Sequence, residues 1–216
     1  MANIEPFEKY YKEYDDWFIK NENIYLSELK TIKSLIPKNK RGVEIGVGSG
    51  RFALPLGIKV GIEPSKKMGA ISVKRGIQIY NSVAEYLPFK NNIFDFILMV
   101  TTICFLDDLY TSLKEAFRVL KTNGFIIIGF IDKNSELGLK YQSKKLKSKF
   151  YNHARFYSVE EVIDLLRKAH FNKIEIKRMV LNDITNQRSY VKNNCARGGF
   201  IVIKAVKLDL SKGGET

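Results

Sequence analysis

Short runs rich in Ile, Val, Leu and Phe recur along this chain, at residues 43–45, 59–62, 77–80, 94–100 and 125–131. They are nearly continuous in apolar side chains, a pattern that strands buried on both faces require and half-exposed strands do not. Helix-period segments with marked ends lie between them. Ser65 is placed to cap a helix that carries Met68 and Ile71 and stops at Gly76. Asp107 or Asp108 is placed to cap one that carries Leu109, Leu113, Ala116, Phe117 and Leu120 and ends before Gly124. Ser158 and Glu161 have capping-box spacing ahead of Val162, Leu165 and Leu166. This alternation implies an α/β domain, a parallel sheet with helices on both faces. Residues 173–180 and 199–206 also read as strands. No helix pattern separates these two, so they are expected as an antiparallel pair at the sheet edge.

In such sheets ligands bind beyond the carboxyl ends of the strands, where strand order reverses. The first strand runs straight into Glu44-Ile45-Gly46-Val47-Gly48-Ser49-Gly50-Arg51-Phe52. Glycines let a chain turn sharply and bring bare backbone N–H groups against a ligand. A dinucleotide fingerprint, Gly-x-Gly-x-x-Gly, needs a small residue at position 51, where Arg51 stands. The spacing is instead acid-x-Gly-x-Gly-x-Gly. A carboxylate inside the strand, Glu44, suits a ligand with an ammonium group better than a pyrophosphate, which it repels. An ordinary glycine turn is the plainer alternative. Glu63 closes the second strand, 17 positions after Gly46, where an acidic side chain accepts both hydroxyl hydrogens of a ribose. A helix-cap role before Pro64-Ser65 is the plainer alternative there.

Five segments then stand in a distinctive order: Val43-Glu44-Ile45-Gly46-Val47-Gly48-Ser49-Gly50, Gly61-Ile62-Glu63-Pro64-Ser65, Ala84-Glu85-Tyr86-Leu87-Pro88-Phe89, Phe94-Asp95 and Arg118-Val119-Leu120-Lys121-Thr122-Asn123-Gly124. Together they resemble the motifs of class I S-adenosylmethionine-dependent methyltransferases, within them the methyltransferase type 11 group, over roughly residues 40–175. The resemblance implies a Rossmann-like, seven-stranded, mostly parallel sheet of order 3-2-1-4-5-7-6 with strand 7 antiparallel. It implies S-adenosyl-L-methionine as cofactor and S-adenosyl-L-homocysteine as its product. By position, Glu44 and the backbone of Gly46 and Gly48 would face the methionine end of the cofactor, Gly50 would belong to the same cofactor-binding loop, and Glu63 would hold the ribose. Ala84 and Glu85 would sit beside the adenine, and Val100 and Thr101 would pass under the methionine moiety toward the substrate. The chain departs from the family pattern in three places. Val83 stands where an acid often accepts from the adenine amino group. The segment after Gly50 is short, leaving about two turns of helix or less. Thr101-Thr102-Ile103-Cys104-Phe105 stands where a histidine is common.

Around that core the expected organisation is a single methyltransferase domain over residues 1–210, with a helical lid segment at 1–38, a substrate-side insert at 132–157 and a loose tail at 211–216. Tyr10, Tyr11, Tyr14, Trp17 and Phe18 supply the lid's rings, which could equally be a helix face packed on the sheet edge. Methyl transfer needs a base only if the acceptor carries a proton at reaction, and base candidates are few. His153 and Tyr14 are the catalytic candidates; His170 reads as a helix terminator and Cys104 as a small hydrophobe. No metal-ligand set is present.

Charge bears on the partner. The chain has 36 Lys+Arg against 23 Asp+Glu, a formal net charge of +13, with the excess beginning after about residue 133. Lys140, Lys144, Lys145, Lys147 and Lys149 are the densest run, read as a solvated helix face, and Lys177, Arg178, Arg188, Lys192 and Arg197 follow. Such a field attracts polyanions, but no RNA-binding module accompanies it, and AT-rich codon usage also inflates Lys. The expected acceptor is therefore a small molecule. RNA or protein methylation, or cofactor binding without transfer, are the alternatives. Two cysteines, Cys104 and Cys195, cannot build a disulfide framework. The chain shows neither a signal-peptide pattern nor an apolar run of membrane-spanning length, so a cytoplasmic protein without a membrane partner is expected.

Overall fold

The computed structural model describes residues 4–179, 191–192 and 199–208, the pair 191–192 by backbone alone. Three helices come first: α1 (Glu5–Lys9), α2 (Tyr11–Lys20) and α3 (Glu22–Lys33). Then follow β1 (Gly42–Ile45), β2 (Val60–Ile62), α4 (Lys66–Lys74), β3 (Gln78–Tyr80), β4 (Phe94–Val100), α5 (Leu109–Val119) and β5 (Leu120–Ile131). The remainder is α6 (Glu136–Ser143), α7 (Val159–Lys168), β6 (Phe171–Met179), β7 (Val191–Lys192) and β8 (Phe200–Lys207).

The sheet order is β3-β2-β1-β4-β5-β8-β6-β7. Strands β1 to β5 pair in parallel, and β8 runs antiparallel between β5 and β6. The expected seven strands are thus present in the order 3-2-1-4-5-7-6, with β8 as the seventh, and the two-residue β7 extends the edge beyond β6. Successive strands are added to one side of β1 up to β3 and to its other side from β4, so the order reverses there and a crevice opens at the carboxyl ends of β1 and β4.

β4 shows why the strands are apolar throughout. Ile97 and Met99 enter the core under α5 and α7, while Phe96, Leu98 and Val100 enter the core under α2 and α3. Successive side chains point to opposite faces, so burial on both sides leaves almost no polar position. The helix starts follow their caps. Ser65 accepts from Met68 N at 3.2 Å and Asp108 from Tyr110 N at 3.0 Å. The capping box has both halves, Ser158 Oγ from Glu161 N at 3.2 Å and Glu161 from Ser158 N at 2.7 Å. His170 ends α7 in the left-handed region, φ 68°, and its N–H donates to Arg167 O at 2.9 Å.

The start of β5 moved furthest from expectation. β5 begins at Leu120 rather than near Phe125, because Leu120 pairs with Phe94 across a register shift. Residues 51–57 form turns and no helix. Among the described residues, no helix is long and apolar enough to cross a membrane and no cluster of side chains could hold a metal ion. The tail at 211–216, Cys195, Arg188, Arg197 and the side chain of Lys192 lie outside the described residues.

Candidate active site

The glycine loop leaves β1 and is pinned at once to β2: Gly46 N and Val47 N both donate to Ile62 O, at 2.9 and 3.1 Å. Gly46 has φ 68°, and a Cβ there would lie 2.4 Å from Thr102 Cγ2. Only glycine meets both demands, left-handed backbone and contact with the loop after β4. Gly48, φ 55°, has more room; an added Cβ would lie 3.3 Å from Met68 Cε and 3.8 Å from Tyr14 Cε1.

Glu63 stands at the carboxyl end of β2 and is 7% exposed. Its Oε2 accepts from Gly48 N at 2.8 Å and its Oε1 from Ser65 N at 2.9 Å, so one carboxylate fastens the loop and the turn into α4. Burial pushes this carboxyl up to about 7, although the two N–H donors favour its charged form. Glu44 is 2% exposed. It alternates with Val43 and Ile45 and therefore points under the loop, where Ala53 N donates to it and Oε2 has no partner. Burial, then the nearby charge of Glu63, raises its pKa well above the usual carboxylate range.

A narrow cavity of about 80 Å³ lies above this loop. Gly46, Gly48, Glu63, Ala84, Glu85, Val100 and Thr101 line it, with Val83 beside Ala84. Glu44 and Gly50, expected in the same set, do not line it. Glu44 lies beneath the loop, and a Cβ on Gly50 would meet Ile77 and Ser72. Glu85 also has a structural task, because its Oε1 accepts from Asp107 N at 3.0 Å and Asp108 N at 3.2 Å at the start of α5.

A second cavity, about 780 Å³, opens beside the first. Tyr14, Trp17 and Phe18 of α2, Glu28 of α3, and Tyr141, Phe150 and Tyr151 of the segment after β5 wall it. The two cavities share Tyr14, Thr101 and Phe105. Thr101 has φ 51°, an outlying conformation for a β-branched residue, and such strain gathers at working sites. Thr101 N donates to Gly129 O at 2.7 Å and its hydroxyl to Val100 O at 2.8 Å, which hold the strained turn. The Tyr14 phenol lies within hydrogen-bonding reach of the Thr101 hydroxyl, and burial raises its pKa, so it stays neutral and able to donate.

Three polar latches hold the N-terminal helices over the site. Asp15 takes both Arg51, at 2.7 Å, and Arg75, at 2.8 Å. Burial opposes its charge, but hydrogen bonds from Arg75 and Arg51 hold its carboxyl well below the usual range. Glu8 accepts from Ser65 Oγ at 2.8 Å and Lys67 N at 3.1 Å, and Lys149 pairs with Glu13 at 2.7 Å.

A family model described as a methyltransferase domain, of type 11, matches residues 43–128. A crystal structure from Thermotoga maritima, described as a "SAM-dependent methyltransferase, possible histamine N-methyltransferase", is 47% identical, with a TM-score of 0.90 over 94% of this chain and 99% of that one. This chain belongs to the S-adenosylmethionine-dependent methyltransferases. An uncharacterized protein of Methanocaldococcus jannaschii is 46% identical over 203 residues, 94% of this chain and 98% of its own length. A ubiquinone biosynthesis O-methyltransferase of Cereibacter sphaeroides is 25% identical over 162 residues, 67% of this chain and 65% of its own.

Of the two catalytic candidates in this methyltransferase, the structure brings only Tyr14 to the shared wall. His153 is exposed in a separate surface hollow with Glu5, Lys9 and Lys149, because the turn at 151–153 directs Tyr151 inward and His153 outward. Cys104 lines neither cavity. Its thiol lies 3.4 Å from Thr101 O, and burial pushes it up to about 12, which keeps it protonated. The lysines at 140–149 are spread over α6, the turn at 145–147 and the chain beyond, rather than one helix face. Sequence reasoning missed Phe105, Phe150, Tyr151 and Glu28. Glu28 had a signal: it falls on the apolar stripe of α3, four residues from both Ile24 and Ile32.

Proposed function

We propose that this methyltransferase binds S-adenosylmethionine in the narrow cavity and methylates a small-molecule acceptor held in the large one. The observation that carries this reading is the junction of the two cavities at Tyr14, Thr101 and Phe105. The residues present fit the cofactor. Gly48 leaves a cradle that a Cβ would crowd against Met68, Glu63 offers a buried carboxylate at the end of β2, and Ile62, Val83 and Leu106 offer apolar surface to a purine.

In this reading the methionine end lies against the bare backbone of Gly46 and Gly48, and Glu63 holds the ribose hydroxyls. Val83 and Ala84 hold the adenine, since Glu85 is engaged at α5. Val100 and Thr101 form the floor toward the acceptor. Glu44 and Gly50 act from behind, by fixing the loop. When bound, the cofactor supplies an electrophilic methyl group on a sulfonium, so the chain has to align an acceptor and exclude water. Phe7 packs on Phe105 and Phe150, with ring centroids 5.0 and 5.7 Å apart, so half-buried rings gather at the junction. Ile4 and Phe7 line the narrow cavity, so α1 has to move aside for entry.

A small-molecule acceptor fits better than RNA. At the mouth of the large cavity Glu13 and Glu136 stand with Lys20 and Lys140, which is no basic track for phosphates. The relatedness to a "possible histamine N-methyltransferase" supports nitrogen as the acceptor atom. The test is calorimetric titration with S-adenosylmethionine and S-adenosylhomocysteine, followed by a search for products heavier by one methylene over a panel of small molecules, peptides and RNA. Micromolar binding with a methylated small molecule is expected. No binding ends the reading, binding with methylated RNA or peptide ends its acceptor half, and binding without any product leaves a cofactor-binding protein that does not methylate.

A further inference from the structure

Resting on that reading, we propose that the large cavity selects an amine, whose ammonium group pairs with the Glu28 carboxylate between aromatic walls. Glu28 is 8% exposed and lines the cavity. Among the described residues its carboxylate has no hydrogen-bond or ion-pair partner. An isolated buried carboxylate costs several kcal/mol and is retained only where something offsets it. The packing of α3 offers no reason for an acid on its apolar stripe, since another aliphatic side chain would continue the run of Ile24 and Ile32.

The surroundings select the sign of the missing partner. Among the described residues no basic group pairs with Glu28, and the lysines on the strands packed against α3 are engaged elsewhere, Lys177 with Ser34 Oγ at 2.9 Å and Lys204 with Leu35 O at 3.2 Å. The charged groups around it are Glu13 and Lys20 on α2, Glu136 and Lys140 on α6, all exposed, and the phenols of Tyr141 and Tyr151 on the segment after β5. Among the described lining residues the rim charges cancel, two against two, so the interior takes a net charge only when Glu28 ionises. Once ionised, it repels an anionic acceptor, and a neutral one offers it a hydrogen bond but no countercharge. A cation satisfies it.

The rings point the same way. Trp17 and Phe18 meet at 5.3 Å, Tyr14 and Phe150 at 5.6 Å, and Tyr141 and Tyr151 at 5.0 Å, so the walls are largely aromatic. Aromatic faces carry negative charge density and attract an ammonium, more strongly once water is excluded. Burial pushes the Glu28 carboxyl up to about 8. At neutral pH the free site is therefore mostly protonated, and pairing with an ammonium requires that proton to leave.

The test uses the full chain with and without S-adenosylhomocysteine, titrated calorimetrically with 2-phenylethylamine, histamine, 2-phenylethanol and 3-phenylpropionate at pH 7. One amine is expected to bind at least 10-fold more tightly than the alcohol, and the acid not at all. Glu28→Gln keeps the shape and removes the charge. It is expected to lower amine affinity at least 10-fold while leaving S-adenosylhomocysteine affinity unchanged, which also shows that the variant folds. Repeating the wild-type titration in buffers of different ionisation heat should show release of a proton on amine binding. Binding of the alcohol or acid in preference, no retention of either amine, unchanged amine affinity in Glu28→Gln, or amine binding without proton release overturns the proposal. Failure of S-adenosylhomocysteine to bind the wild type overturns the cofactor reading instead, and the amine titration of the protein alone still decides the role of Glu28.

Discussion

The narrow cavity is built on the backbone at the ends of β1, β2 and β4, whereas the large one is walled by side chains from α2, α3 and the segment after β5. In the first, glycines at φ 68° and 55° and a strained threonine at φ 51° set the shape. In the second, aromatic side chains and one buried acid set it, among them Tyr14, Trp17, Phe18, Phe105, Tyr141, Phe150, Tyr151 and Glu28. Backbone conformation is fixed by the sheet beneath it and tolerates little change. Side-chain walls can be recomposed without disturbing the sheet, which is how one fold serves many acceptors.

The largest effect is expected where the backbone is tightest. Gly46→Val would place a β-branched residue at φ 68° with its Cβ 2.4 Å from Thr102. S-adenosylhomocysteine affinity should fall more than about 100-fold and stability by about 3 kcal/mol, read by calorimetry and thermal unfolding. Ordinary affinity in this variant would break the contrast between the two halves.

The buried acids come next. Glu28 and Glu63 are pushed up to about 8 and about 7 from an ordinary 4.5. Their folded forms hold protons more tightly than the unfolded chain does. Stability present below about pH 4.5 is therefore lost as pH rises toward 7 and 8, by up to about 1.4 kcal/mol per pH unit for each group. Glu28→Gln should be more stable than the wild type by about 3 kcal/mol at pH 8 and by less than about 1 kcal/mol at pH 5. Parallel unfolding curves for the two proteins across that range would show that Glu28 is not held neutral.

Glu63→Ala should weaken S-adenosylhomocysteine binding by about 2 kcal/mol through loss of charged hydrogen bonds. Amine affinity should stay within twofold, since Glu63 lines only the narrow cavity. Equal losses for both ligands would merge the two sites. Asp15→Ala has the smallest effect, about 1–2 kcal/mol of stability, because it unpairs Arg51 and Arg75 at a partly exposed clasp. Trypsin should then cut the chain before residue 40 faster, and cofactor association should quicken. A cleavage rate equal to that of the wild type would mean that the clasp does not hold the lid.

Legibility followed the same division. The bounds of β4, the caps at Ser65, Asp108 and Ser158 and the terminator at His170 were readable, because each depends on periodicity or on one residue's backbone preference. The start of β5 was not, since it depends on Leu120 meeting Phe94, a pairing between distant segments. Glu44 belonged visibly to the loop motif, yet its direction followed from strand alternation, which turns it under the loop. His153 drew notice as a rare titratable residue, and the turn carrying it faces outward. Glu28 is one of seven acids in the first 30 residues; its place on the apolar stripe with Ile24 and Ile32 sets it apart, but only burial shows that it lines a cavity.

By itself the sequence determined the strands of the sheet and the glycine loop, because strand burial, helix caps and left-handed glycines are written in neighbouring residues, while the strand order came from the family resemblance of its motifs. Only the tertiary structure decided that Tyr14, Glu28, Thr101 and Phe105, from segments up to about 90 residues apart, stand around connected cavities. Contacts of that separation depend on how the N-terminal helices dock on the finished sheet. No local pattern records that docking, so the acceptor side of the molecule became visible only in the fold.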